Sequence, residues 1–113
     1  MTRVLLAVTD PRARELASEL ELEGLTVVAT AAPSFEAIRA FLTDVEAIVV
    51  PATRSLLTSD LISACDRAGV RILALGGADS RALGRLGIGA TLPTDASGWE
   101  VAAALLQDIP SSP

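Results

Sequence analysis

Five short apolar runs alternate along this chain with stretches in which apolar residues recur every three to four positions. The first run, Val4 to Val8, is continuously apolar, as expected of a strand covered on both faces in a parallel sheet. Asp10 then stands at a helix N-cap position and Pro11 in the first turn, where a missing N–H costs nothing. Ala13, Leu16, Ala17 and Leu20 share one helical face, and Gly24 supplies the stop. Leu25 to Thr30 reads as a second strand, and Pro33-Ser34 opens a second helix with Phe35, Ile38, Phe41 and Leu42 inward. Ala47 to Val50 is the third strand, central by its apolarity. After the polar loop Thr53-Arg54-Ser55, a third helix is predicted from about Ser59 to Ala68, with Leu61, Ile62, Cys65 and Ala68 facing the sheet and Gly69 ending it. Val70 to Leu75 is the fourth strand, stopped by Gly76-Gly77. Asp79 can cap a short helix carrying Leu83 and Leu86, and Ile88 to Leu92 is a short fifth strand. Ser97-Gly98-Trp99-Glu100 has the spacing of a capping box, opening a last helix that buries Ala102, Leu105, Leu106 and Ile109.

Five β-α units with short connections imply right-handed crossovers and a three-layer α/β sandwich. No internal repeat interrupts the pattern. One domain over residues 1–109 follows, with Pro110-Ser111-Ser112-Pro113 as the start of a linker.

Composition narrows the chemistry. Half of the 113 residues are apolar and mean hydropathy is +0.49, so a packed core is expected. Phe35, Phe41 and Trp99 are the only aromatics, which leaves Leu, Ile, Val and Ala to build that core. The net charge of −5, with nine scattered positive charges that are all Arg, argues against nucleic-acid binding. The single Cys65 excludes an internal disulfide and fits a reducing compartment, with the cytoplasm as the default. No apolar run approaches the roughly 20 residues needed to span a bilayer. The run Val4 to Val8 after Met1-Thr2-Arg3 is too short for a signal peptide and meets Asp10-Pro11 at once. The chain contains no His, Lys, Tyr or Asn, and its sequence points to no acid–base constellation and no activated nucleophile.

The element order and the residues at the strand ends resemble the receiver domain, the (βα)5 phosphoacceptor of two-component signalling. That resemblance implies a receiver-like, flavodoxin-like fold with a parallel five-stranded sheet of order 2-1-3-4-5. It also marks what this chain lacks. Receivers place an acidic pair after the first strand, and here Thr9-Asp10 matches one acid of the two. They place the phosphoacceptor Asp at the end of the third strand, a Ser or Thr at the end of the fourth and a Lys before a Pro after the fifth. Here those positions hold Val50-Pro51, Leu75 and Leu92-Pro93. Phosphoryl transfer to Asp needs a carboxylate nucleophile, acids to hold Mg²⁺ and a cation to neutralise charge, so the resemblance is to a degenerate receiver. Receivers often carry a cis proline after the fifth strand, which implies a cis Leu92–Pro93 bond. Thr2 to Val8, Ser63 to Ile72 and the Leu92-Pro93 turn further resemble the N-terminal receiver-like domain of actinobacterial MinD/ParA-type ATPases, including pilus-assembly and septum-site-determining relatives. That family implies an ATPase domain after Pro113. This chain has no Gly-x-x-x-x-Gly-Lys-Ser/Thr element of its own.

The expected function is therefore a non-catalytic regulatory, localisation or protein-interaction module, with no catalytic residue, metal or cofactor. Its partner would be a protein, a second copy or an ATPase domain of the same chain. The alternative is a small-molecule-binding flavodoxin-like domain using the loops after strands three and four. Candidate ligand residues are Asp10, Thr53, Arg54 and Ser55, for which a helix cap and a solvated polar loop are the plainer readings. Gly76-Gly77 with Asp79-Ser80 reads as a turn, because Asp79 would repel an anion. Cys65 reads as a buried small hydrophobe. Candidate interface residues are Arg81, Arg85, Leu86 and Trp99, a mixed basic and apolar patch, against the plainer reading that Trp99 packs on the Pro93 turn. Glu15, Glu19 and Glu23 form an acidic stripe that is either a docking stripe or a solvated face.

Overall fold

The computed structural model describes residues 2–9, 12–52, 56–76, 90–92 and 96–107. Its elements run β1 (Arg3–Leu6), α1 (Arg12–Leu22), β2 (Thr26–Thr30), α2 (Phe35–Arg39), β3 (Ala47–Pro51), α3 (Ser59–Ala68), β4 (Arg71–Leu75), β5 (Ala90–Leu92) and α4 (Gly98–Gln107). The predicted helix around Asp79 to Leu86, and Ile88 at the start of the predicted fifth strand, lie outside the described residues. So do Ile109 and the predicted linker from Pro110.

β2, β1, β3 and β4 pair in that order as a parallel sheet, and the three residues of β5 pair parallel with the free edge of β4. The pleat sorts the apolar residues into two cores. Val4, Leu6 and Val8, Ala47 and Val49, and Leu73 and Leu75 face one side with Leu16 and Leu20 of α1 and Val101 and Leu105 of α4. Leu5 and Ala7, Ile48 and Val50, and Ile72 and Ala74 face the other with Ile38 of α2 and Leu61 and Cys65 of α3. Every strand residue from Val4 to Leu6 and from Ala47 to Val50 is buried, which explains why β1 and β3 read as unbroken apolar runs rather than alternating ones. Leu56 and Leu57, directly after the loop predicted as polar, are also buried in the second core.

Local chemistry sets the ends of the helices. Ser34 caps α2 by accepting the Ala37 N–H, and Thr58 caps α3 by accepting the Leu61 N–H, both at 3.3 Å. Gly69 closes α3 in the left-handed conformation, φ 72°, so that the Val70 N–H reaches back to the Cys65 carbonyl at 2.8 Å. Ala68, predicted to face the sheet, is exposed; the core position at this end is filled by buried Val70 once the chain has turned.

β2 is the outer strand on the β1 side and carries an irregularity. Val27 pairs with Val4 and Ala29 with Leu5, so Val28 is an extra residue with no partner on β1.

Candidate functional site at the strand ends

In an open parallel sheet, ligands bind beyond the carboxyl ends of the strands, where neighbouring connections diverge. With the order β2-β1-β3-β4, that point lies between β1 and β3. Ala7 follows β1 there, fully buried, its N–H donating to the Val49 carbonyl at 2.8 Å. Pro51 ends β3 and pairs in register with Leu75, which ends β4; Leu75 pairs in turn with Leu92, the last residue of β5. The Ala52 N–H donates to the Leu75 carbonyl at 2.8 Å, and the Gly76 N–H to the Leu92 carbonyl at 2.7 Å. Three adjacent strand ends therefore present a proline ring and two leucines. None of these is a nucleophile, an acid, a base or a metal ligand.

Asp10, Thr53, Arg54 and Ser55, the candidate ligand residues, lie outside the described residues, as do Arg81, Arg85, Leu86 and Pro93 with its peptide bond. Among the described residues no group of three or more His, Cys, Asp or Glu side chains could hold a metal ion, and no helix is long and apolar enough to cross a membrane. A depression of about 340 Å³ opens one strand away from the divergence point, between the ends of β1 and β2, lined by Val8, Thr9, Ala13 and Thr30 to Pro33. Its described lining offers two threonine hydroxyls and no charge. Among the described residues, none that follows β3 or β4 lines it.

The chemistry-bearing contacts that the structure does bring together join α1 to the start of α4. An Arg12 Nη2–H donates to the Ala96 carbonyl, and the Gly98 N–H donates to Glu19 Oε2. Arg12 Nη1 also lies 3.6 Å from a Glu15 carboxylate oxygen. Glu19 thus leaves the acidic stripe: Glu15 and Glu23 are exposed, whereas Glu19 is half-buried and engaged with α4. The pairing links residues 79 and 84 positions apart, and no local spacing in the sequence signals it. The predicted capping box is half present, with Ser97 N–H and Oγ–H both donating to Glu100 Oε1 at 3.4 and 3.1 Å.

Trp99, the next residue along α4, is 64% exposed. Packing against the Pro93 turn would have buried it. Val101, Ala102 and Leu105 take the core face of α4, and Trp99 precedes Val101 by two positions, about 200° around the helix. Cys65 is 1% exposed, and burial pushes its thiol up to about 11 from 9.0. A neutral, enclosed thiol is a poor nucleophile.

A parallel α/β sheet of this order, with helices on both faces, defines the receiver-like class of doubly wound folds. No family model and no curated protein matches the chain. Solved structures do. The signal receiver domain of a modulated diguanylate cyclase from Desulfovibrio desulfuricans G20 is similar with TM-score 0.71 and 14% identity, covering 96% of this chain and 94% of that one. A CpaE2 pilus assembly protein from Sinorhizobium meliloti 1021 gives TM-score 0.68 and 14% identity over 95% and 99% of the two chains. A pilus assembly protein CpaE from Caulobacter crescentus CB15 gives TM-score 0.63 and 12% identity over 95% and 98%. At these identities the likeness establishes the receiver-like fold.

Proposed function

We propose that this chain is a non-catalytic regulatory, localisation or protein-interaction module, a degenerate receiver acting in the cytoplasm. We further infer that it is attached to, or partners, a MinD/ParA-type ATPase in division or in pilus assembly and secretion. The single observation that carries the reading is the row Pro51–Leu75–Leu92 at the ends of β3, β4 and β5. A receiver would need the phosphoacceptor, hydroxyl and lysine at these ends. The likeness to solved chains of two pilus assembly proteins, each covered over nearly all of that chain, supports the direction of the second inference. The exposed Trp99 supports docking as the mode of action, since tryptophan is enriched among residues that anchor interfaces. Arg81, Arg85 and Leu86 would complete its patch, for a protein partner or a weak homodimer.

Two experiments test the reading. Incubation with acetyl phosphate and Mg²⁺, followed by intact-mass spectrometry, leaves the chain unmodified; a hydroxylamine-labile phosphoryl adduct on any Asp overturns the degenerate-receiver assignment. Titration of the chain into a MinD/ParA-type ATPase from the same genome, read by ATP turnover and by sedimentation, shows association or altered turnover. If neither changes for any such ATPase of that genome, the ATPase partnership is refuted and the degenerate-receiver assignment stands.

A further inference from the structure

The first amides of an α-helix have no partner within the helix and need one from elsewhere. In most helices the N-cap side chain supplies it. The local sequence of α4 does this poorly. The Ser97 hydroxyl donates its proton to the Glu100 carboxylate instead of receiving a first-turn amide. The leading amide, Gly98 N–H, is satisfied by Glu19, a residue of a different helix. Further toward the N-terminus of α1, the Arg12 guanidinium holds the carbonyl of Ala96, two residues before α4 begins. α1 therefore grips the entry to α4 at two points of opposite polarity: a cation on a carbonyl, and an anion on an amide at the positive end of the helix dipole. The grip also needs glycine. A Cβ on residue 98 would run into the Cβ of Glu19 and its carboxylate.

The rest of α4 does not depend on these contacts. Val101, Ala102 and Leu105 are buried between α4 and the sheet and hold the body of the helix by apolar packing. At the first turn Ala96 is buried and Ser97 bonds Glu100 and accepts the Val101 N–H. The two charged side chains alone, however, tie the Ala96 carbonyl and the Gly98 N–H to α1, and that turn carries the exposed Trp99.

We propose that Arg12 and Glu19 form a clamp that makes the first turn of α4 conditional on α1: when closed it fixes the position of Trp99, and when opened it frees that turn while the body of α4 stays docked. Opening is local unfolding of a single turn. Anything that competes for the Glu19 carboxylate or the Arg12 guanidinium, such as a charged segment laid along α1, changes the surface offered by Trp99 beside it. The clamp is a property of this chain, whatever docks at Trp99.

Amide hydrogen exchange on the whole chain, read by two-dimensional NMR, tests the clamp. The Gly98 amide, in a position that is normally unprotected, exchanges slowly in the unaltered chain. Glu19→Ala lowers that protection by about tenfold or more, the worth of a hydrogen bond to a charged group. The amides of Ala102 to Leu105 keep theirs, and the Trp99 emission anisotropy falls. Arg12→Met, which keeps the aliphatic stem, lowers Gly98 protection in the same direction. Glu19→Gln retains an oxygen acceptor without the charge and gives an intermediate value, and it carries the test if the alanine variant does not fold. A Gly98 amide that exchanges at the free-peptide rate in the unaltered chain overturns the clamp. So does Gly98 protection that is the same in Glu19→Gln and Arg12→Met as in the parent, and so does a loss of protection spread evenly over all of α4.

Discussion

Raising the pH should destabilise this protein through one atom, Sγ of Cys65. The thiol sits in the core between α3 and the sheet, 1% exposed, and desolvation raises it from 9.0 to about 11. The folded chain thus holds the thiol proton more tightly than the unfolded chain does. Its contribution is complete below pH 9 and is lost as pH rises through about 11. With those two values the loss is about 1.4 kcal/mol at pH 10 and approaches about 2.7 kcal/mol when titration is complete, at 1.36 kcal/mol for each unit of difference. The sequence makes this measurement unusually clean. There is no His, Lys or Tyr, so no other side chain has an ordinary titration between about pH 6 and pH 12. Urea unfolding followed by circular dichroism at pH 8, 9, 10 and 10.5 should show the parent chain losing stability progressively. Cys65→Ala starts lower, because it leaves a small void, but stays flat over the same range. Parallel decline of both proteins refutes the reasoning. So does a parent chain whose stability is unchanged at pH 10.5.

Other substitutions have equally direct readings. Ile48→Ala empties a fully buried position on the central strand and should cost about 2–5 kcal/mol in chemical denaturation. Gly69→Ala meets no atom within 4 Å but places a side chain at φ 72°; about 1 kcal/mol is expected from the left-handed backbone alone, and Gly69→Asn should cost less. Trp99→Ala should shift stability by no more than about 0.5 kcal/mol, as at other exposed positions. If Trp99 anchors the interface, the same change abolishes self-association or partner binding in sedimentation; unchanged association assigns the contact to another surface.

Helix α3 and strand β3 are legible in the amino-acid sequence. The span Ser59 to Ala68 with Gly69 as its stop is what the structure contains, because periodicity and terminal glycine agree over ten residues. β3 declares itself through four consecutive apolar residues that are buried on both faces. The strand-end row is legible as well, since Pro51 and Leu75 are fixed by where the apolar runs stop. Other features are hidden for identifiable reasons. Ala68 has the helical spacing of a core residue, but the helix ends there and Val70 takes the space. Glu19 has the spacing of a surface acid, and only the packing of α1 beside α4 gives it a partner. Arg12, on the same helix, carries no pattern at all. Trp99 invites a reading as a packed aromatic because large apolar side chains usually are; the helical phase set by Val101 and Leu105 turns it outward.

The extra residue on β2 bears on solubility and on how copies can meet. From Gly24 to Phe35 the chain has no charged side chain, and this uncharged stretch contains an outer strand, Thr26–Thr30, with Val28 exposed. A straight, uncharged outer strand of this kind is a template on which a second chain can add its own strand and then a third. Val28 is unmatched on β1, and an irregularity of this kind locally twists a strand, which makes an in-register partner harder to add. Growth by sheet extension on that side is hindered without spending a charge or a proline there. Any contact between copies is then left to helix surfaces, where contacts are finite and reversible, and the outer strand carries less hazard of polymerising.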